Sequence, residues 1–216
     1  MQVITQPGPV SPERQEILQI EGQPIEVTLR QDMPLEDAVA EALATAGFDG
    51  AWLEIADAPV AALDYVIPAL APDDEHVAWY SAIHSFAGPG RIERLGMTVG
   101  REGNASFLHG HGLWAPERGE TAMGHILAPR TTLSRPAVAR GTGIFGGHFA
   151  RQADPETNFT LFRPTGGAKG GKDLSHALVR LAPNQDFTYA LEQACARIGW
   201  DAARVQGLGS LIGARF

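Results

Sequence analysis

The sequence of 216 residues predicts an α/β protein of the α+β type: a mainly antiparallel β-sheet with one packed helix, followed by a strand–helix–strand half repeat. Three observations lead there. After Gly90 the chain breaks into short alternating segments separated by Gly, Pro or Asn turns, the pattern of half-buried strands. Before them lies one Ala/Leu/Glu-rich stretch, Pro34 to Ala46, of helical composition. Finally, the chain matches itself without a gap at an offset of 152 residues: Val27, Leu29, Ala38, Ala42, Gly47, Asp49, Ala51 and Ala62 recur as Val179, Leu181, Ala190, Ala194, Gly199, Asp201, Ala203 and Ala214.

Taken in order, residues 1–20 read as a mobile tail, with neither the cationic start nor the apolar core of a signal peptide. Ile25 to Leu29 alternates as a strand, and the helix over Pro34–Ala46 meets Gly47 at the position where a left-handed residue ends a helix. A second strand completes this unit. Ile92–Val99, Ala105–Trp114, Ala122–Leu127 and Thr157–Phe162 supply further strands, so that residues 21–165 form the principal domain. Residues 166–173 form a Gly/Lys linker. They nearly spell a phosphate-binding loop, but Asp173 stands where a magnesium-binding hydroxyl is required, and its carboxylate would repel phosphate. Residues 174–216 are the half repeat, with Gly199 ending its helix and a glycine turn at Gly207, Gly209 and Ser210. Forty-odd residues with this much apolar surface are too few for a core of their own, so the half repeat is expected to dock on the larger unit.

Composition narrows the function classes. Hydrophobic residues at 44% and charged residues at 19% are those of a globular chain. The single cysteine, Cys195, excludes an internal disulfide and any multi-cysteine zinc site, and suits a reducing, cytoplasmic setting. The most apolar stretch, Ala58 to Ala71, holds Asp64 and two prolines and falls short of the ~20 residues that span a bilayer. A net charge of −8 opposes contact with phosphate backbones, so direct DNA binding is not expected.

The chemistry concentrates in Phe107-Leu-His-Gly-His-Gly-Leu-Trp114 and Met123-Gly-His-Ile-Leu127. Residues two apart on a strand face the same side, which pairs His109 with His111. A hairpin centred near Arg118 sets His125 directly across from His111 on that same face. Three imidazoles and an open fourth position suit zinc or another divalent transition metal. Gly110, Gly112 and Gly124 are expected to leave room beside the ligands. His148 is a weaker candidate for an outer group, and His76, His84 and His176 have no partner the sequence names. No Gly-x-Ser-x-Gly elbow is present, and Cys195 lies among apolar neighbours, so a covalent nucleophile is not indicated.

Four motifs in a fixed order carry a family resemblance: Gly90-Arg-Ile-Glu-Arg-Leu95, similar to Gly-Arg-Phe-Glu-Ile-Leu, then His109-Gly-His111, Met123-Gly-His125 and Asp154-Pro-Glu-Thr157. From about Ile25 to Phe162 the chain resembles the plant-and-prokaryote-conserved (PPC) domain, found alone in bacteria and archaea and joined to AT-hook motifs in plant nuclear proteins. The resemblance implies an antiparallel α/β fold, a trimer, a three-histidine metal site, and protein contacts through Gly90, Arg91, Ile92, Glu93, Arg94 and Leu95. Two departures stand out. The family's Gly-Ile-Gly-Ser turn is replaced by Ile55-Ala-Asp-Ala58 and survives only as Gly207-Leu-Gly-Ser210, and Met123 replaces a glycine beside the metal. No Arg-Gly-Arg-Pro core is present, so association with DNA would rest on family naming alone. The expected function is an oligomeric regulatory or interaction module with a three-histidine zinc site and protein partners. The alternative is a metal-dependent enzyme acting on a small molecule.

Overall fold

The computed structural model describes residues 3–167, 174–211 and 213. Its elements run β1 (Gln15–Leu29), α1 (Leu35–Ala46), β2 (Gly50–Val66), β3 (Pro68–Ala69), β4 (Trp79–Tyr80), β5 (His84–Glu102), β6 (Ala105–Pro116), β7 (Ala122–Ile126), β8 (Thr132–Leu133), β9 (Ala137–Phe145), β10 (Gly147–Ala153), β11 (Thr160–Gly166), β12 (His176–Leu181) and α2 (Phe187–Ile198). All strands but β3 and β4 belong to one ten-stranded sheet in the order β11-β10-β5-β6-β7-β2-β9-β1-β12, with β8 attached to β2. Its pairings are antiparallel except between β10 and β5. The α+β class read from the sequence is therefore the class observed.

Two long central strands organise the core. β2 and β5 pair along most of their length, and both turn their buried face over midway, β2 doing so again at the register shift between Val60 and Ala62, beyond which Leu63 is buried. In β2 the inward residues are Leu53 and Ile55, then Ala58 and Val60; in β5 they are Ile92, then Leu95 and Met97. The exchange happens at Asp57, which has φ 53, and at Glu93, where the pairing with β6 slips by one residue. A bulge lets a single long strand serve two differently oriented parts of a core. Because β2 pairs with β5, β5 with β6, β6 with β7, and β7 with the end of β2, the four strands close a circuit. α1 covers it with Leu35, Ala38, Val39 and Leu43, and Gly47 ends the helix at φ 79.

Several expectations need correction. Residues 15–20 belong to β1 and pair with β12, while Ile4 exchanges two hydrogen bonds with the Asn184 amide and Gly8 N–H donates to the Glu156 carbonyl. The segment expected as a mobile tail is thus anchored over its described residues 3–20, because its alternating Gln15-Glu-Ile-Leu-Gln-Ile20 finds a strand partner in His176–Leu181 far downstream. The half repeat contributes to the same sheet through β12, with Leu178 packed in a small second core against Ile20 and Ile144. Its helix α2 lies 152 residues after α1, is equally long, is capped by the Asp186 carboxylate and also ends on a left-handed glycine, Gly199. The strand expected after it is not formed among the described residues. Residues 202–211, including Gly207, Gly209 and Ser210, run as largely exposed coil. Of the Gly/Lys linker, 168–173 lies outside the described residues. Among the described residues no helix is long and apolar enough to cross a membrane.

An ion-pair network fastens the late strands to the early one. Arg180 on β12 donates to both Glu16 on β1 and the buried Asp154, while Arg163 on β11 makes a two-pronged pair with Glu16. Arg14 reaches the buried Glu156 carboxylate at 2.6 Å. Asp154 also accepts from the backbone N–H groups of Glu156 and Thr157, so the Asp154-Pro-Glu-Thr157 motif is a structural knot with three arginines and three carboxylates. Each buried charge in it has a partner, as burial demands.

Candidate metal centre

β6 turns Leu108, Gly110 and Trp114 into the core, which leaves Phe107, His109, His111 and Leu113 on the opposite face. Across the Pro116–Ala122 turn, β7 returns in the register that sets His111 against His125 and Leu113 against Met123. The hairpin is the one centred on Arg118 in the sequence. His109, His111 and His125 thereby come together, with ligand atoms all within 4.8 Å of one another. His109 Nε2 and His111 Nε2 are 3.2 Å apart, and ring centroids are separated by 4.8 to 5.4 Å.

All three rings are held as neutral bases. Burial pushes His109 down to about 3, and the neighbouring His125 and His111 add to the shift. Burial, with His111 second, lowers His125 to about 4, and burial also lowers His111. A neutral imidazole keeps a lone pair free for a cation at neutral pH, so the electrostatics that disfavour a proton favour a metal ligand. Among the described residues no carboxylate or thiol joins the cluster. The donor set is nitrogen only, which fits a borderline divalent metal better than magnesium or calcium.

The glycines beside the histidines have a different role from the one expected. A Cβ on Gly112 would sit 2.4 Å from the Arg94 carbonyl, and one on Gly124 would sit 2.5 Å from the Val66 carbonyl. They face away from the imidazoles and permit β6 and β7 to approach β5 and β2 closely. Met123 does lie on the histidine face, next to His125, and is 67% exposed.

Around the triad stands a wall the sequence did not announce. The Tyr80 ring meets His125 edge-on at 5.9 Å, and Phe162 lies 6.1 Å from His109. Phe159 backs Tyr80 and packs on Trp79 and His76. These aromatics come from β4, β11 and the turn before it, segments far apart in sequence, so no local spacing could reveal them. His84 stacks on Tyr65. His176 contacts Ser175. His148 is separate from the triad: it lines a cavity of about 390 Å³ with Asp49, Arg101 and Gly146, where burial and Arg101 lower its pKa and Asp49 opposes them.

Within Gly90–Leu95, Ile92 and Leu95 are wholly buried, and a Cβ on Gly90 would collide with the Phe86 ring at 2.5 Å. Only Arg91, Glu93 and Arg94 are presented outward, with Arg91 paired to Asp57 at 3.1 Å.

No family model matches the sequence, and no curated protein does. Similarity lies in structure. A metal-containing protein from Archaeoglobus fulgidus superposes with TM-score 0.51 at 20% identity, over 68% of this chain and 97% of that one, which shows a shared fold. A PPC protein from Pyrococcus horikoshii aligns at TM-score 0.48 and 13% identity, over 65% of this chain and 91% of that one. A protein from Ralstonia eutropha named for a supposed DNA-binding role aligns at 0.49 and 12%, over 64% and 89%.

Proposed function

We propose that this chain is a PPC-domain protein that carries one zinc, or a related divalent transition metal, on His109, His111 and His125, and works as an oligomeric regulatory or interaction module. The observation that carries the reading is the convergence of three neutral imidazoles within 4.8 Å on one face of the β6–β7 hairpin. The metal-containing Archaeoglobus protein shares the fold and supports it. The homo-oligomer, a trimer on the PPC resemblance, and a partner surface at Arg91, Glu93 and Arg94 belong to the same proposal. A metal-dependent enzyme is the weaker reading, since no carboxylate or thiol among the described residues stands with the triad. Contact with DNA draws no support from a net charge of −8.

Elemental analysis of purified protein beside His109→Ala and His125→Ala tests the centre. The expected outcome is about one metal per chain in the parent and a loss of most of it in each variant. Equal content in all three refutes the reading. Light scattering on the same samples decides the oligomeric state, and a monomer at all concentrations refutes that part.

A further inference from the structure

Resting on the metal reading above, we infer that the open side of the triad is a binding site for a small organic anion, a carboxylate carried on a flat apolar body. Two independent features of the face lead to it. The first is charge. Three neutral nitrogens leave a divalent cation with its full positive charge, and among the described residues neither a carboxylate nor a thiolate is within reach to complete it. Zinc with three protein ligands takes a fourth from outside, and an anion is the donor that compensates the charge.

The second feature is what stands beside the three imidazoles. Tyr80 touches His125 and Phe162 touches His109, each ring about as far from its imidazole as aromatic pairs prefer. Leu113 and Met123, 39% and 67% exposed, extend the same face beyond the His111–His125 pair. Arg151 stacks on Phe107 at 4.6 Å, but its charge is already matched by Glu102. The polar demand is thus concentrated at the metal, and its surroundings offer ring faces, a thioether and an aliphatic side chain. Such a site holds the acid group by coordination and the body by aromatic and apolar contact. A bare inorganic anion would use only half of it.

The test loads the protein with cobalt(II), whose visible bands report a change of coordination, and titrates it separately with acetate and benzoate. Metal content is measured on the same samples. Benzoate is expected to perturb the bands and to bind about tenfold or more tighter than acetate. Tyr80→Ala should reduce the benzoate affinity several-fold and leave acetate unchanged, whereas Tyr80→Phe should keep the preference. Cobalt bound at one per chain with equal affinities for the two acids, or with no spectral change, overturns the inference and leaves the metal reading standing. Failure to bind cobalt overturns both.

Discussion

His111 and His125 are register partners across β6 and β7, and both are more basic in the unfolded chain than in the folded one. That pairing makes the metal-free protein sensitive to acid. Above a pH of about 6.5 the imidazoles are neutral whether the chain is folded or not, and they contribute no pH dependence. Below it the unfolded chain takes up protons that the folded triad refuses, so stability falls steadily until pH reaches the folded values of about 4 for His125 and about 3 for His109. Melting temperatures of chelator-treated protein between pH 7 and 4 should decline, and His109→Gln should flatten the decline. An unchanged slope in that variant refutes the assignment.

Removing the Arg180 side chain leaves Asp154, only 3% exposed, without its cation and deprives Glu16 of one of its two. Breaking a buried pair from one side costs about 3–5 kcal/mol. Arg180→Ala should therefore lower the unfolding free energy by about 3 kcal/mol in urea titrations, while Arg140→Ala, whose pair with Glu26 is exposed, should change it by less than about 1 kcal/mol. Similar effects for the two would show that the network is not buried in solution.

Leu178 brings the half repeat into contact with Ile20 and Ile144. Leu178→Ala should cost about 2–4 kcal/mol by leaving a cavity. Truncation after Thr165 removes β12 and uncovers Ile20, now 1% exposed, so the shortened protein should melt lower and bind more hydrophobic dye. An unaltered melting temperature would show that the half repeat contributes nothing to the fold.

Gly112→Ala places a methyl group against the Arg94 carbonyl, a contact neither backbone can relieve without parting β5 from β6. Both stability and metal content should fall, although the residue is no ligand. Normal metal content with normal stability would mean that β6 and β5 are further apart than the 2.4 Å contact at Gly112 requires.

The triad could be read from sequence because everything that builds it is local: a two-residue strand period and one hairpin turn. The helices and their glycine ends were legible for the same reason. What escaped were relationships set by distant chain. The long strands β2 and β5 looked shorter and simpler, because the bulges at Asp57 and Glu93 invert the alternation that marks a strand face. Tyr80 and Phe162 are unremarkable in their own segments and acquire a role only once β4 and β11 are folded beside β6. The self-match at an offset of 152 residues extended the half repeat to a second strand, but residues 202–211 are exposed coil.

β1 has two clients: its later residues pair with β9, and its first six pair with β12, so that Gln15 lies opposite Leu181. During synthesis the ribosome releases the early half of this strand long before its last partner exists. Such distant pairing makes loop closure slow. Until position 181 has emerged, residues 15–20 of the nascent chain lack their strand partner, and an unpaired strand of this kind is open to a chaperone or to a second unfinished chain.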